Sequence, residues 1–184
     1  MKTKLNKPCA LLFFLAALFS LARPARAAEG ESVRVTVDKR SREAAFFRQE
    51  DGGFSLLFYS GASWHSLSFG RDAGSVLQKA AQNYAVQFEK RKLKKGKPST
   101  MRAYASLPVS LKWGPSAQSL DREAPSAADI GYVFDNNSPY FSMLVQNAKN
   151  TRKQDTPALQ ESGQVIVLFT KSQLQGLLDA IFAR

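Results

Sequence analysis

Apolar and polar residues alternate with a period of two along much of the chain, and twice that period gives way to one of about 3.6. Val33, Val35 and Val37 are separated by Arg34 and Thr36, which is the pattern of a half-buried strand. Residues 44–48, 54–59 and 64–69 read as three more short strands. Lys39-Arg40-Ser41-Arg42, Glu50-Asp51-Gly52-Gly53 and Ser60-Gly61 supply the turns between them. The period then changes. Leu77, Ala81, Tyr84 and Phe88 form one apolar helical face behind a capping Asp72. That helix should fade within the basic tract 90–95, with Gly96 and Pro98 as its stop.

The second half repeats the order. Residues 102–113 form a long strand region edged at Pro108, and a loop with Pro115 and Pro125 spans 114–129. Residues 130–134 and 140–146 flank the turn Asp135-Asn136-Asn137-Ser138-Pro139 as strands. A long polar loop over 147–163 leads to the apolar strand 165–169. Ser172 with Gln175 reads as a capping box for a last helix whose buried face is Leu174, Leu177, Leu178, Ile181 and Phe182. Gly176 inside that helix points to close packing, because it costs about 1 kcal/mol relative to Ala.

The halves align. Phe69 meets Phe169, Arg71 meets Lys171, Asp72 meets Ser172, Leu77 meets Leu177 and Ala80 meets Ala180. Residues 54–58 match 141–145, which brings Phe47 onto Phe134 without a gap. The expected fold is therefore α+β: two ββββα repeats, 28–97 and 98–184, in one compact domain. Each four-stranded antiparallel sheet is followed by its helix, and the two sheets cover each other to share one core.

Tandem units of this kind resemble the Pur-alpha family and, more loosely, the Whirly-type single-strand binders. The similar stretches are Asp51-Gly52-Gly53-Phe54-Ser55-Leu56, then Gly163-Gln164-Val165-Ile166-Val167-Leu168 leading into 174–181. The resemblance implies intertwined repeats that bind single-stranded nucleic acid on curved antiparallel sheets. Where that family usually carries basic residues, this chain has Gly53, Ser55 and Leu56, and Pro139, Tyr140, Ser142 and Met143.

Residues 1–27 read as an export signal. Lys2, Lys4 and Lys7 precede an apolar run over 10–22, and Ala25-Arg26-Ala27 offers a cleavage site at Ala25 and Ala27. The run is short of the ~20 residues a membrane-spanning helix needs. Cys9 is the only cysteine and lies before the apolar run, so neither a lipid anchor nor a disulfide is expected after cleavage. The expected location is the periplasm or the exterior, with no transmembrane segment after cleavage.

Little in the sequence points to catalysis. His65 is the only histidine and alternates with Leu67 and Phe69, which marks a satisfied core or edge imidazole. One histidine and no cysteine after cleavage cannot build a typical zinc site. There is no Gly-x-Ser-x-Gly elbow and no phosphate-cradling glycine loop. No enzyme activity, cofactor or metal is expected.

Charge is the stronger signal. The chain carries 26 Lys and Arg against 15 Asp and Glu. Lys90, Arg91, Lys92, Lys94, Lys95 and Lys97 crowd one tract, and Arg152 and Lys153 could extend it. Alternation places Arg34, Trp64, Arg102, Tyr104 and Lys112 on outward faces, with Trp113 toward the core. Cations beside exposed rings suit a polyanion or a single strand, since charge tracks phosphate and rings stack bases. The expected function is an exported non-catalytic binding module or adaptor of the cell envelope. Its partner would be an anionic protein or polymer. The alternative is a Pur-alpha-like single-stranded nucleic-acid binder. A dimer fits such a module, but no residue fixes the oligomeric state.

Overall fold

The computed structural model describes residues 30–96, 100–150 and 160–183. Among these, β1 (Glu31–Val37), β2 (Arg40–Arg48), β3 (Phe54–Ser60) and β4 (Ser63–Phe69) precede α1 (Ala73–Glu89). Then β5 (Arg102–Gly114), β6 (Arg122–Asp135), β7 (Ser138–Val145) and β8 (Val165–Phe169) precede α2 (Lys171–Phe182).

The expected pair of four-stranded sheets sharing a core does not form. All eight strands close into one antiparallel barrel in sequence order. β4 pairs with β5 from Trp64↔Gly114 to Phe69↔Val109. β1 meets β8 through Thr36↔Leu168 and Val37↔Val167. Two separate sheets would leave four unpaired edges, and closure removes them. Val35, Leu56, Phe58, Leu67, Leu111, Ile130, Phe141, Met143 and Val167 fill the interior and are fully buried. An eight-stranded barrel is about wide enough for side chains alone. Arg34, Glu43, Ser68 and Lys112 lie outside. This reverses the polar-in, apolar-out alternation of membrane-spanning barrels.

The loop expected over 114–129 is also corrected, because β6 already begins at Arg122. Pro125 suggested a break, yet it sits opposite Ser110 in the β5–β6 ladder. The β6–β7 ladder ends at Ala128↔Val145, so Pro125 has a strand on one side only. Pro108 lies one residue beyond the last β4–β5 pair. Both prolines thus occupy locally free edges, where a missing N–H is tolerated.

Two turns differ from expectation. The first connection is the pair Asp38-Lys39, both at positive φ, and Arg40–Arg48 is already strand. Asn136 and Asn137 make the same two-residue turn. The gapless match of Phe47 to Phe134 fails as well. Phe47 pairs with Ser55, whereas Ser142, the residue aligned with Ser55, pairs with Gly131. The short Asn136-Asn137 turn in place of residues 49–53 accounts for the offset.

Strand direction places the helices. β4 and β8 run the same way and end at one rim, so both following helices start there. α1 contacts β5, β6 and β7, while α2 contacts β1, β7, β8 and α1. Leu77, Ala80, Ala81, Tyr84, Leu174, Leu177 and Ala180 join the core and seal that end. The helices are antiparallel. A Cβ on Gly74 would lie 2.9 Å from Ile181 Cγ2, and at the other end Lys171 Nζ is 3.5 Å from Glu89 Oε1.

Gly74 is thus the close-packing glycine of the pair, and Gly176 faces open space. The capping box uses Thr170 and Gln173 rather than Ser172 and Gln175. Asp72 occupies the N-cap position of α1 without a side-chain cap bond. Arg48 donates to the carbonyls of Ala180 and Ala183 and closes the far end of α2.

Candidate functional site at the helix-capped end

The basic tract is not a frayed helix end. α1 stops at Glu89 in a Schellman turn: Lys92 N donates to Gln87 O (2.8 Å) and Arg91 N to Phe88 O (3.0 Å), with Arg91 at φ 52°. The chain then leaves the helix as an irregular strap. Leu93 packs on the core. The Tyr132 hydroxyl accepts from Lys94 N (3.3 Å) and donates to Lys94 O (3.4 Å). Lys95 Nζ donates to Asn137 Oδ1. The strap backbone is pinned to the barrel rim while Lys90, Arg91, Lys92, Lys94 and Lys95 stay exposed. Arg102 opens β5 beside it, with its Nε close to Gly96.

A groove of about 620 Å³ lies between α1 and α2. Ala81, Tyr84, Ala85 and Phe88 line one wall, and Leu174, Leu178 and Phe182 line the other. Gln78, Gln82, Gln175 and Asp179 form its polar lip, with Lys171 at one end. Tyr84 is fixed by donating to Pro139 O (2.9 Å), and burial pushes its hydroxyl up to about 12. A second hollow of about 410 Å³ adjoins the first through Phe88 and Pro139, and it is also lined by Arg91, Leu93 and Phe134. Apolar space and the cationic strap therefore meet around Phe88.

Residues 17–183 match a family model described as an uncharacterised Treponema protein. The chain belongs to that family. No curated protein and no solved structure matches it.

In this family member the other anticipated site residues are scattered. Arg34 is exposed on the outer face of β1. Lys112 lies on the outer face of β5 and pairs with Glu123 at 3.3 Å. Trp64 is half-buried near the opposite rim, its ring edge-on to Tyr59. Tyr104 faces the core rather than outward. A bulge between Ala103 and Ala105 shifts the alternation and brings its ring 5.7 Å from Tyr132. Lys97, Arg152, Lys153, Cys9 and the cleavage residues Ala25 and Ala27 lie outside the described residues.

His65 is buried inside the barrel near the opposite rim, stacked on Phe58 with centroids 6.0 Å apart. The expectation of a satisfied imidazole is corrected at one atom, because Nδ1 has no hydrogen-bond partner among the described residues. Burial lowers its pKa to about 4 against an opposing pull from Asp38. Asp38 itself accepts from Ser60 Oγ (3.2 Å) and Gly61 N (2.8 Å), which ties two hairpin turns together. Among the described residues no three His, Cys, Asp or Glu side chains are placed to hold a metal ion. Nor is any described helix long and apolar enough to cross a membrane.

The groove was missed from sequence. Helical spacing places Phe88 and Phe182 on inward faces, yet each remains more than two-fifths exposed. Their exposure depends on how the two helices lie together, which neither helix pattern reveals alone.

Proposed function

We propose that the protein is an exported, non-catalytic binding module of the cell envelope that holds an anionic partner at the helix-capped end of its barrel. The observation that carries this is the pinned strap. Five exposed cations within residues 90–95, with Arg102 alongside, are presented from a backbone held by Leu93 and Tyr132. A fixed cluster of one sign raises the local concentration of anions and speeds their association. His65 supports a non-catalytic reading, since its ring is sealed in the core away from both hollows. Export is supported by the basic, apolar and small-residue order of positions 2–27.

The test is an anisotropy titration of fluorescein-labelled heparin at two salt concentrations. The native protein is compared with one in which Lys90, Arg91, Lys92, Lys94 and Lys95 are all Gln. Tight, salt-dependent binding that weakens at least about tenfold in the variant supports the reading. Equal binding by the two proteins rejects it. A labelled oligo-dT in the same assay weighs the single-strand alternative. That alternative has less support, because Tyr104 packs inward and Trp64 sits away from the strap.

A further inference from the structure

We propose that the groove between α1 and α2 binds a single-chain anionic amphiphile of the fatty-acid class. Its headgroup would lie at the Lys171 and Arg91 end and its chain would run toward Phe182. This deepens the preceding reading and rests on it, because the same cations would receive the headgroup.

Three observations combine. First, the groove has the size of a ligand site: about 620 Å³, within the roughly 300–1,000 Å³ usual for small-molecule pockets. From Gln78 to Phe88 its wall is three helical turns long, about 15 Å at 1.5 Å per residue. Second, both helix walls are apolar along that length, and Ser138, Tyr140 and Thr170 are the polar lining besides the lip. Third, its two ends differ in charge. At one end stand Lys171, which pairs with Glu89 at 3.5 Å beside the first turn of α2, and Arg91, which lines the adjoining hollow. At the other end stand Asp179 and the last carbonyls of α2, which already take Arg48. An apolar track whose lining cation, Lys171, stands at one end, while Arg48 at the other is already taken up by helix carbonyls, matches a molecule with one anionic head and one apolar tail.

The experiment displaces a dansylated undecanoate from the protein with laurate, palmitate and methyl laurate. Ala85→Trp fills the groove wall, and Gln82→Trp does so from an exposed position of the same wall should the first variant fail to fold. We expect saturable one-to-one binding of laurate. Methyl laurate should bind about tenfold more weakly. Each added methylene should tighten binding by up to about fourfold until the groove is full. Either Trp variant should lose about tenfold or more while its heparin affinity stays unchanged. Laurate binding that either folded Trp variant leaves unaltered overturns the proposal, as does the absence of one-to-one binding. Self-association of the native protein that a Trp variant abolishes would identify the groove as a contact between copies and also overturns it. Heparin binding without laurate binding removes the groove site alone. Laurate binding without heparin binding removes the broader reading of the strap.

Discussion

His65 makes the protein sensitive to acid in a way that can be worked out in advance. Its imidazole is 2 % exposed, and burial holds its pKa at about 4 against 6.5 in the open chain, with Asp38 opposing. The folded protein keeps the ring neutral, whereas the unfolded chain protonates it below pH 6.5. The unfolded state therefore binds more protons between those two values, and stability falls as pH falls through that window. Going from pH 7.5 to pH 5 should cost about 2 kcal/mol from this group alone, rising to about 3 kcal/mol below pH 4. For a chain of this size 2 kcal/mol corresponds to about 4–8 °C in Tm. The perturbation is His65→Leu, and the assay is urea unfolding of both proteins at the two pH values. Carboxylates titrate in both proteins, so the difference isolates His65. We expect the native protein to lose about 2 kcal/mol more than the variant. Parallel losses would refute the argument and mean that the imidazole is either hydrated or paired in the folded state.

Two further substitutions test the packing. Gly176→Ala should stabilise the protein by about 1 kcal/mol in thermal unfolding, because its Cβ would meet open space inside a helix; destabilisation would mean that something covers that face. Tyr104→Phe should be neutral or stabilising by about 1 kcal/mol, because its hydroxyl is buried with no hydrogen-bond partner among the described residues. A loss of stability would reveal a partner for that hydroxyl.

The order of elements was legible because alternation and helical spacing are local. Val33, Val35 and Val37 point inward as their pattern requires, and Leu77 and Leu177 are both fully buried. What alternation cannot specify is the neighbour across a ladder. Nothing in Ser63–Phe69 says that its second partner is Val109–Gly114, and the β1–β8 seam rests on only two residue pairs. Pro125 hid the first half of β6 because proline usually ends a strand, and its tolerance depends on β7 stopping short of it. Tyr104 was turned inward by a bulge, whose one mark in the sequence is Gly131 on the facing strand, where a Cβ would lie 2.0 Å from Arg102 O. The cationic tract was visible as composition, but its pinned form depends on Tyr132, 38 residues beyond Lys94. The groove is a property of two antiparallel helices laid over one rim and has no motif of its own.

Backbone amide chemical shifts recorded while a heparin tetrasaccharide is titrated into the protein ask where an anion is held. We expect the changes to concentrate in residues 90–95, Arg102, Asn137 and Lys171 and to vanish in the variant with five Gln substitutions. Changes centred on Arg34, Trp64 and Lys112, or persisting undiminished in that variant, would contradict a binding site at the helix-capped end.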